Sequence, residues 1–317
     1  MKVIITREIP SIAEDLLKAE GYEVKIIAKN RSAEKEEIIR RGKKADALLT
    51  LLSDKIDREM IDNLKQCKII ANYAVGYNNI DVGYAKSKGI IVTNTPDILT
   101  DATADIAIAL TLAVSRRITE GDTFMRSGKF NGWEPKLLLG VSLTGKTFGI
   151  VGAGRIGQAT AKRAKAFGMK IVYFNRSKKE KFEKEFGAKK VSLKKLFSTS
   201  DVISVHLPLT ENTFHLLNKE ILSLMKPNAI FVNTARGEIV EEKYLSKLLK
   251  EKKIFGAGLD VYEGEPDYDK EILKLKNVVL LPHIGSGNVE TRNKMAELAA
   301  KNIIRVLKGK KPLTPVM

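Results

Sequence analysis

Thr147-Phe148-Gly149-Ile150-Val151-Gly152-Ala153-Gly154-Arg155-Ile156-Gly157 is the stretch on which the fold turns. Five residues of strand pattern run straight into G-x-G-x-x-G, and a helical pattern follows to about Phe167. Three glycines at this spacing mean little alone. Between a strand and a helix they form a dinucleotide-binding turn. Gly152 makes the tight turn, Gly154 lets a pyrophosphate approach the backbone, and Gly157 lets the helix pack closely on the strand. Arg155 and Ile156 then open a helix whose first N–H groups can hold an anion.

The strand Lys170–Phe174 ends where an NAD-selective protein carries an acid for the ribose 2′-hydroxyl. Here that place holds Asn175, followed by Arg176 and Ser177. An acid would repel a 2′-phosphate, whereas a neutral side chain beside a guanidinium accepts one. NADP(H) is therefore the expected cofactor, with NAD(H) still able to bind. From 175 to 195 there are nine basic residues against three acids. From Lys181 onward this run reads as a solvated helix face.

Further out, short apolar runs alternate with helical patterns over the whole chain, which predicts parallel α/β units. One series of strands is expected at 2–6, 22–27, 47–52, 68–73 and 90–94. A helix rich in Ala, Ile and Leu follows from Thr100 to about Arg117. A second series is expected at 147–151, 170–174, 202–205, 229–233, 255–260 and 278–282. These are the six strands of a full dinucleotide-binding sheet. A last helix, 290–308, has no strand after it and should return to the first domain. The expected fold is α/β, with two Rossmann-like or flavodoxin-like parallel-sheet domains and an active-site cleft between them. Residues 1–99 and 288–317 would form the substrate-binding domain, and 100–287 the dinucleotide-binding domain.

Composition narrows the class. The 317 residues are 44% hydrophobic and 29% charged, ordinary values for a globular protein. The longest apolar run, Ile106 to Val114, is far shorter than a membrane span. The N-terminus opens on Lys2-Val3-Ile4-Ile5-Thr6 without a leader pattern, so a cytoplasmic protein is expected. The single cysteine, Cys67, cannot form an intrachain disulfide and precedes an apolar strand, so it reads as a buried inert thiol. The net charge of +17 is the outlying number. Its excess is spread over helical faces, with neither zinc-finger spacing nor the aromatic signature of RNA binders. No nucleic-acid partner and no metal are expected, and the charge would favour small anions.

Three chemically active residues follow strands of the second series, where open α/β sheets bind ligands. Arg236 follows Ile230-Phe231-Val232-Asn233, Glu265 follows the strand ending at Asp260-Val261, and His283 follows Val278-Val279-Leu280-Leu281-Pro282. Alone, each has an ordinary reading as a surface charge or a neighbour of the core. Three such positions converging above one cofactor sheet are harder to set aside.

The chain resembles the D-isomer-specific 2-hydroxyacid dehydrogenase family over its whole length. The resemblance rests on Val75-Gly76-Tyr77-Asn78-Asn79-Ile80-Asp81, the glycine loop, His206-Leu207-Pro208-Leu209-Thr210 and Asn233-Thr234-Ala235-Arg236-Gly237. It continues through Gly256-Ala257-Gly258-Leu259-Asp260-Val261, Glu265-Pro266 and Pro282-His283-Ile284-Gly285-Ser286. Within the family, Gly132-Trp133-Glu134-Pro135 and Thr291-Arg292-Asn293-Lys294-Met295 resemble the glyoxylate/hydroxypyruvate reductases. The resemblance implies that Arg236 and the amides of Val75 and Gly76 hold a substrate carboxylate, with Ser286 and Trp133 also at the substrate. It implies that His283 gives a proton to the developing alkoxide while Glu265 orients the ring. Thr103, Pro208, Thr213, Thr234, Ala235, Asp260 and Gly285 would line the cofactor. His206 and His215 are left outside the catalytic set.

The activity implied is reduction of small 2-keto acids, glyoxylate or hydroxypyruvate, to D-2-hydroxy acids. A phosphoglycerate dehydrogenase without its regulatory domain shares these motifs, as does a cofactor-sensing corepressor similar to the C-terminal binding proteins. A formate dehydrogenase would not carry the Glu265–His283 pair. In similar reductases the tryptophan equivalent to Trp133 comes from the neighbouring subunit. A homodimer is therefore expected, in which Trp133 closes the partner's substrate pocket. The competing reading has Trp133 anchoring its own irregular arm, which Gly132 and Pro135 mark out.

Overall fold

The computed structural model describes residues 1–316, which divide into two compact units: 1–99 with Ser286 onward, and 100–285. The division falls two residues before the boundary expected at 287/288.

The first unit alternates β1 (Lys2–Arg7), α1 (Ile12–Ala19), β2 (Glu23–Ala28), α2 (Lys35–Gly42), β3 (Ala47–Thr50), α3 (Arg58–Asn63), β4 (Ile69–Asn72), α4 (Val82–Ser87) and β5 (Ile91–Thr93). Its sheet is parallel throughout, in the order β2-β1-β3-β4-β5. That is a doubly wound order with its switch point between β1 and β3. β3 and β4 are buried at every position, as a parallel strand covered on both faces must be. β3 stops at Thr50, two residues before the apolar run ends, because the buried Asp54 carboxylate accepts the Leu51 N–H and turns the chain. Cys67 is buried, and burial pushes its thiol up to about 12, so the thiolate nucleophile does not form.

The second unit runs α5 (Thr100–Ser115), α6 (Ile118–Arg126), β6 (Thr147–Val151), α7 (Arg155–Ala166), β7 (Lys170–Phe174), α8 (Glu180–Phe186), β8 (Lys189–Lys190), α9 (Leu193–Thr199), β9 (Val202–Val205), α10 (Lys219–Leu222), β10 (Ile230–Asn233), α11 (Glu242–Lys250), β11 (Gly256–Leu259) and β12 (Val278–Leu280). Its parallel sheet has the order β12-β11-β10-β9-β6-β7-β8, a Rossmann arrangement with its switch point between β6 and β9. Seven strands stand where six were expected. The extra one, β8, consists of two exposed lysines paired with Val172 and Tyr173, so no apolar run announces it. Charged residues on a short edge strand also keep that edge from pairing with another chain.

The last helix, α12 (Val289–Leu307), begins at Asn288, whose side chain accepts the Thr291 N–H at 2.7 Å. It packs against α1, β3 and β4 of the first unit and buries Met295, Ala299 and Ile303. Asn302, fully buried, then holds the returning chain through Leu313 and Thr314, and Val316 donates to Val92 beside β5. Among the described residues no helix is long and apolar enough to cross a membrane.

Candidate active site

The glycine loop lies between the C-terminal ends of β6 and β9. Gly152 has φ +101°, and a Cβ there would stand 2.8 Å from the His206 carbonyl oxygen. A Cβ on Gly157 would meet the Gly152 carbonyl oxygen at 2.2 Å, so this helix–strand contact requires glycine. A Cβ on Gly154 would meet nothing within 4 Å. The loop is thus closed on its protein side and open beside Gly154, the N-cap of α7. The first N–H groups of α7 lack helical partners, so Arg155 and Ile156 stand where a phosphate would be held.

At the end of β7, Asn175 Nδ2 donates to the Ser177 carbonyl oxygen at 3.0 Å and folds the turn that carries Arg176. Arg176 is exposed, and its guanidinium has no partner among the described residues. The sequence pattern puts Lys190 on a solvated helix face. It lies instead on β8, and its Nζ donates to the Arg176 carbonyl oxygen at 3.1 Å. Two cations therefore converge here, and only one is legible without knowledge of the edge strand.

The three residues expected to carry the chemistry follow β10, β11 and β12. Asn233, the last residue of β10, accepts the Ala235 N–H at 3.0 Å and donates to the Arg236 carbonyl oxygen at 2.8 Å. This fixes the loop from Thr234 to Arg236. Burial works against the charge of Arg236, while Glu238 and Glu265 favour it. A guanidinium stays protonated under such a shift. The next residue, Gly237, backs onto the following loop so closely that a Cβ would overlap the Tyr262–Glu263 peptide.

Glu265 sits in that following loop. Its Oε1 accepts the Tyr262 N–H at 2.7 Å, and its Oε2 pairs with His283 Nδ1 at 2.8 Å. With Nδ1 committed, Nε2 is the nitrogen left for a reacting atom. His283 adopts φ +54°, a left-handed conformation that costs an L-residue roughly 1–2 kcal/mol. That turn ends β12 at Leu280, two residues short of the expected strand. Glu242, at the start of α11, accepts the Glu263 N–H at 2.9 Å. Burial, reinforced by neighbouring carboxylates, lifts its carboxyl to about 7. Nothing in the sequence singles out this buried acid.

Asp260 is buried and lies between β11 and the His283 turn. Its Oδ1 accepts the Ile284 N–H at 2.7 Å, and burial raises its carboxyl above the ordinary range. Its Oδ2 is buried with no partner among the described residues, and so is Thr234 Oγ1. A Cβ on Gly285 would come within 3.1 Å of Asp260 Oδ2 and 3.5 Å of Thr103 Oγ1, so these three expected cofactor residues adjoin one another. Thr213 gives its hydroxyl to the Pro208 carbonyl oxygen at 2.7 Å and so shapes the loop after β9.

Burial pulls the His206 imidazole down to about 3, so it is neutral. Its Nε2 lies 2.9 Å from Ser204 Oγ. His215 pairs with Glu263 at 2.6 Å and stacks on Phe214. Val75, Gly76 and Ser286 belong to the first unit. The Ser286 carbonyl oxygen accepts from Arg292 Nε, and Tyr73 Oη donates to the Arg292 carbonyl oxygen. Trp133 is 84% exposed, so it does not anchor the arm on its own unit. Among the described residues no group of three His, Cys, Asp or Glu side chains could hold a metal.

Residues 108–285 match the D-isomer specific 2-hydroxyacid dehydrogenase, NAD binding domain family. A glyoxylate reductase of Thermococcus litoralis is 52% identical, over 98% of this chain and 95% of its own length. A crystal structure of a Thermus thermophilus protein superposes with a TM-score of 0.94 at 44% identity, covering 100% of both chains. An NADPH-dependent glyoxylate/hydroxypyruvate reductase of Sinorhizobium meliloti, in complex with NADP and malonate, superposes with a TM-score of 0.89 at 33% identity. The match covers 99% of this chain and 96% of the other.

Proposed function

The chain belongs to the D-isomer-specific 2-hydroxyacid dehydrogenases, oxidoreductases that use a nicotinamide cofactor, and we propose that it reduces glyoxylate and hydroxypyruvate with NADPH. The observation that carries this reading is the Glu265–His283 pair beside Arg236, above a Rossmann sheet whose nicotinamide end offers an orphaned acceptor on Asp260.

The residues present fit the cofactor. The open side of Gly154 and the first N–H groups of α7 suit a pyrophosphate. The buried, unpartnered Oδ2 of Asp260 suits the N–H of a carboxamide, because a buried acceptor without a donor is costly. When bound, the cofactor supplies a hydride to the keto carbon.

The chain's own residues supply the rest. Arg236 binds the keto acid's carboxylate and polarises its carbonyl, and the amides of Val75 and Gly76 also bind the carboxylate. His283 Nε2 gives its proton to the carbonyl oxygen as negative charge develops there, leaving a neutral imidazole and a 2-hydroxy acid. Glu265 accepts from Nδ1 and so fixes the tautomer and holds the ring oriented. Steady-state rates with glyoxylate, hydroxypyruvate, pyruvate and phosphohydroxypyruvate test the reading. Glyoxylate and hydroxypyruvate should give the highest kcat/KM. A decisive preference for phosphohydroxypyruvate would make the protein a phosphoglycerate dehydrogenase instead.

Cofactor choice rests on Asn175, Arg176, Ser177 and Lys190. A charge-assisted contact to phosphate contributes roughly 1.5–3 kcal/mol. Arg176→Ala combined with Asn175→Asp should therefore lower the NADPH-to-NADH ratio of kcat/KM by about tenfold or more. Lys190→Ala should lower it in the same direction by a smaller factor. A wild type that strongly prefers NADH would show this cationic corner to be solvated surface.

The reading includes a homodimer in which Trp133 reaches the partner's substrate pocket. Its support is exposure: Trp133, Phe130 and Leu139 all stand open on one irregular arm, as large apolar groups that bury at an interface do. Trp133→Ala should raise the KM for hydroxypyruvate by about tenfold, the effect of about 1.4 kcal/mol, and leave NADPH affinity unchanged. A fully active monomer in sedimentation would remove the in-trans role.

A further inference from the structure

We propose that Asn72 and Asn94 are positioning residues that aim three successive backbone N–H groups, those of Val75, Gly76 and Tyr77, at the substrate's carboxylate. The inference rests on the reading of this loop as a carboxylate site, and it adds both the Tyr77 amide and the device that orients all three.

A trans peptide is planar, so the C=O of one residue and the N–H of the next point in opposite directions. Fixing a carbonyl therefore fixes the direction of the following amide. In the loop after β4, three consecutive carbonyls are held. The Ala74 oxygen accepts the Thr95 N–H at 2.9 Å, the Val75 oxygen accepts Asn94 Nδ2 at 2.8 Å, and the Gly76 oxygen accepts Asn72 Nδ2 at 2.8 Å. The N–H groups on the other side of these planes belong to Val75, Gly76 and Tyr77. None of them meets an acceptor among the described residues, and all three residues are part-exposed or exposed.

The asparagines have no freedom to reverse this arrangement. A carbonyl can only accept, so each asparagine must present its NH₂ to the loop. For Asn72 the other end is also committed, because Thr50 Oγ1 donates to Asn72 Oδ1 at 3.1 Å within the core. Asn72 Nδ2 also reaches Asn79 Oδ1 at 3.3 Å, and Asn79 Nδ2 donates to the Leu51 and Asp54 carbonyl oxygens. The backbone of Asn94 is fastened to Thr314 on both sides, at 3.3 Å through its N–H and 2.6 Å through its carbonyl. The result is a row of donors with its carbonyls turned away, a surface that attracts a carboxylate. Loosened, the same loop would offer carbonyl oxygens that repel one.

Leucine matches asparagine in size and lacks the donor, and it adds no charge that could itself repel an anion. Asn94→Leu is the primary variant because Asn94 is only half-buried. Asn72→Leu is the second, with folding followed by thermal unfolding. Asn94→Gln keeps the donor. The KM for glyoxylate should rise roughly 10- to 100-fold in Asn94→Leu, with kcat held within a few-fold. Calorimetric binding of oxalate, an unreactive dicarboxylate, to the NADPH complex should weaken by a similar factor. NADPH affinity should be unchanged, and Asn94→Gln should recover part of the loss. A merely structural role would reduce the active fraction and leave KM and oxalate affinity at wild-type values, and that result overturns the proposal. Should the wild type reduce no keto acid, the functional reading fails, and oxalate binding still decides whether the loop is aimed as described. Absence of oxalate binding to the wild type would overturn the proposal itself.

Discussion

His283→Ala is expected to lower turnover with glyoxylate by roughly 10²–10⁴-fold, the range over which a positioned general acid accelerates a reaction. The alkoxide that forms on hydride addition needs a proton as it forms, and in the variant only water supplies it. Glu265 already holds Nδ1 at 2.8 Å, so Nε2 is the one histidine nitrogen left for the transfer. Cofactor affinity should change little, because the glycine loop does not depend on the ring and Asp260 is held by the Ile284 backbone N–H, which the substitution keeps. Glu265→Gln should cost less than His283→Ala, since the ring survives but loses the carboxylate that fixes its tautomer. Tyr262 N–H would still find an oxygen there, so the loop should hold. Stopped-flow measurement of a single turnover separates the chemical step from binding. Turnover near the wild-type rate in His283→Ala would remove the proton-transfer assignment.

Arg236→Ala should have the second largest effect, a fall in kcat/KM of roughly 10²–10³-fold. Truncating one partner of a buried, hydrogen-bonded charge pair costs roughly 2–5 kcal/mol. Asn233 fixes the Arg236 carbonyl and the preceding turn. Most of the loss should fall on KM, because the carboxylate is bound in the ground state as well as in the transition state. Arg236→Lys should restore little, since an ammonium cannot match a carboxylate with two parallel N–H bonds. An Arg236→Ala enzyme with unchanged KM would require another cation for the carboxylate.

Much of the candidate site is legible in the sequence because the residues expected to do its chemistry sit at strand ends. Apolar runs of parallel strands such as Val202–Val205 mark themselves, and the residues that follow them fall at the ligand-binding edge. Arg236, Glu265 and His283 stand out that way, and the glycine loop by its context. The two-residue strand β8 does not, because two lysines carry no apolar signal, and Lys190 goes unseen with it. The buried Glu242 and the hydrogen bonds of Asn72 and Asn94 are equally hidden. Their roles come from partners far along the chain or from which end of an amide faces a carbonyl, and neither has a spacing in sequence. The expected strands run past their true ends at Leu51 and Leu281 for a related reason. The apolar pattern continues there, while the buried Asp54 and the left-handed turn at His283 end the ladder.

The decisive measurement is the reduction of hydroxypyruvate with NADPH, with the configuration of the glycerate determined. NADPH should be oxidised stoichiometrically and D-glycerate should be the sole product, both lost together in His283→Ala. NADPH that binds but is never oxidised by hydroxypyruvate or glyoxylate would contradict the proposed function, as would formation of L-glycerate.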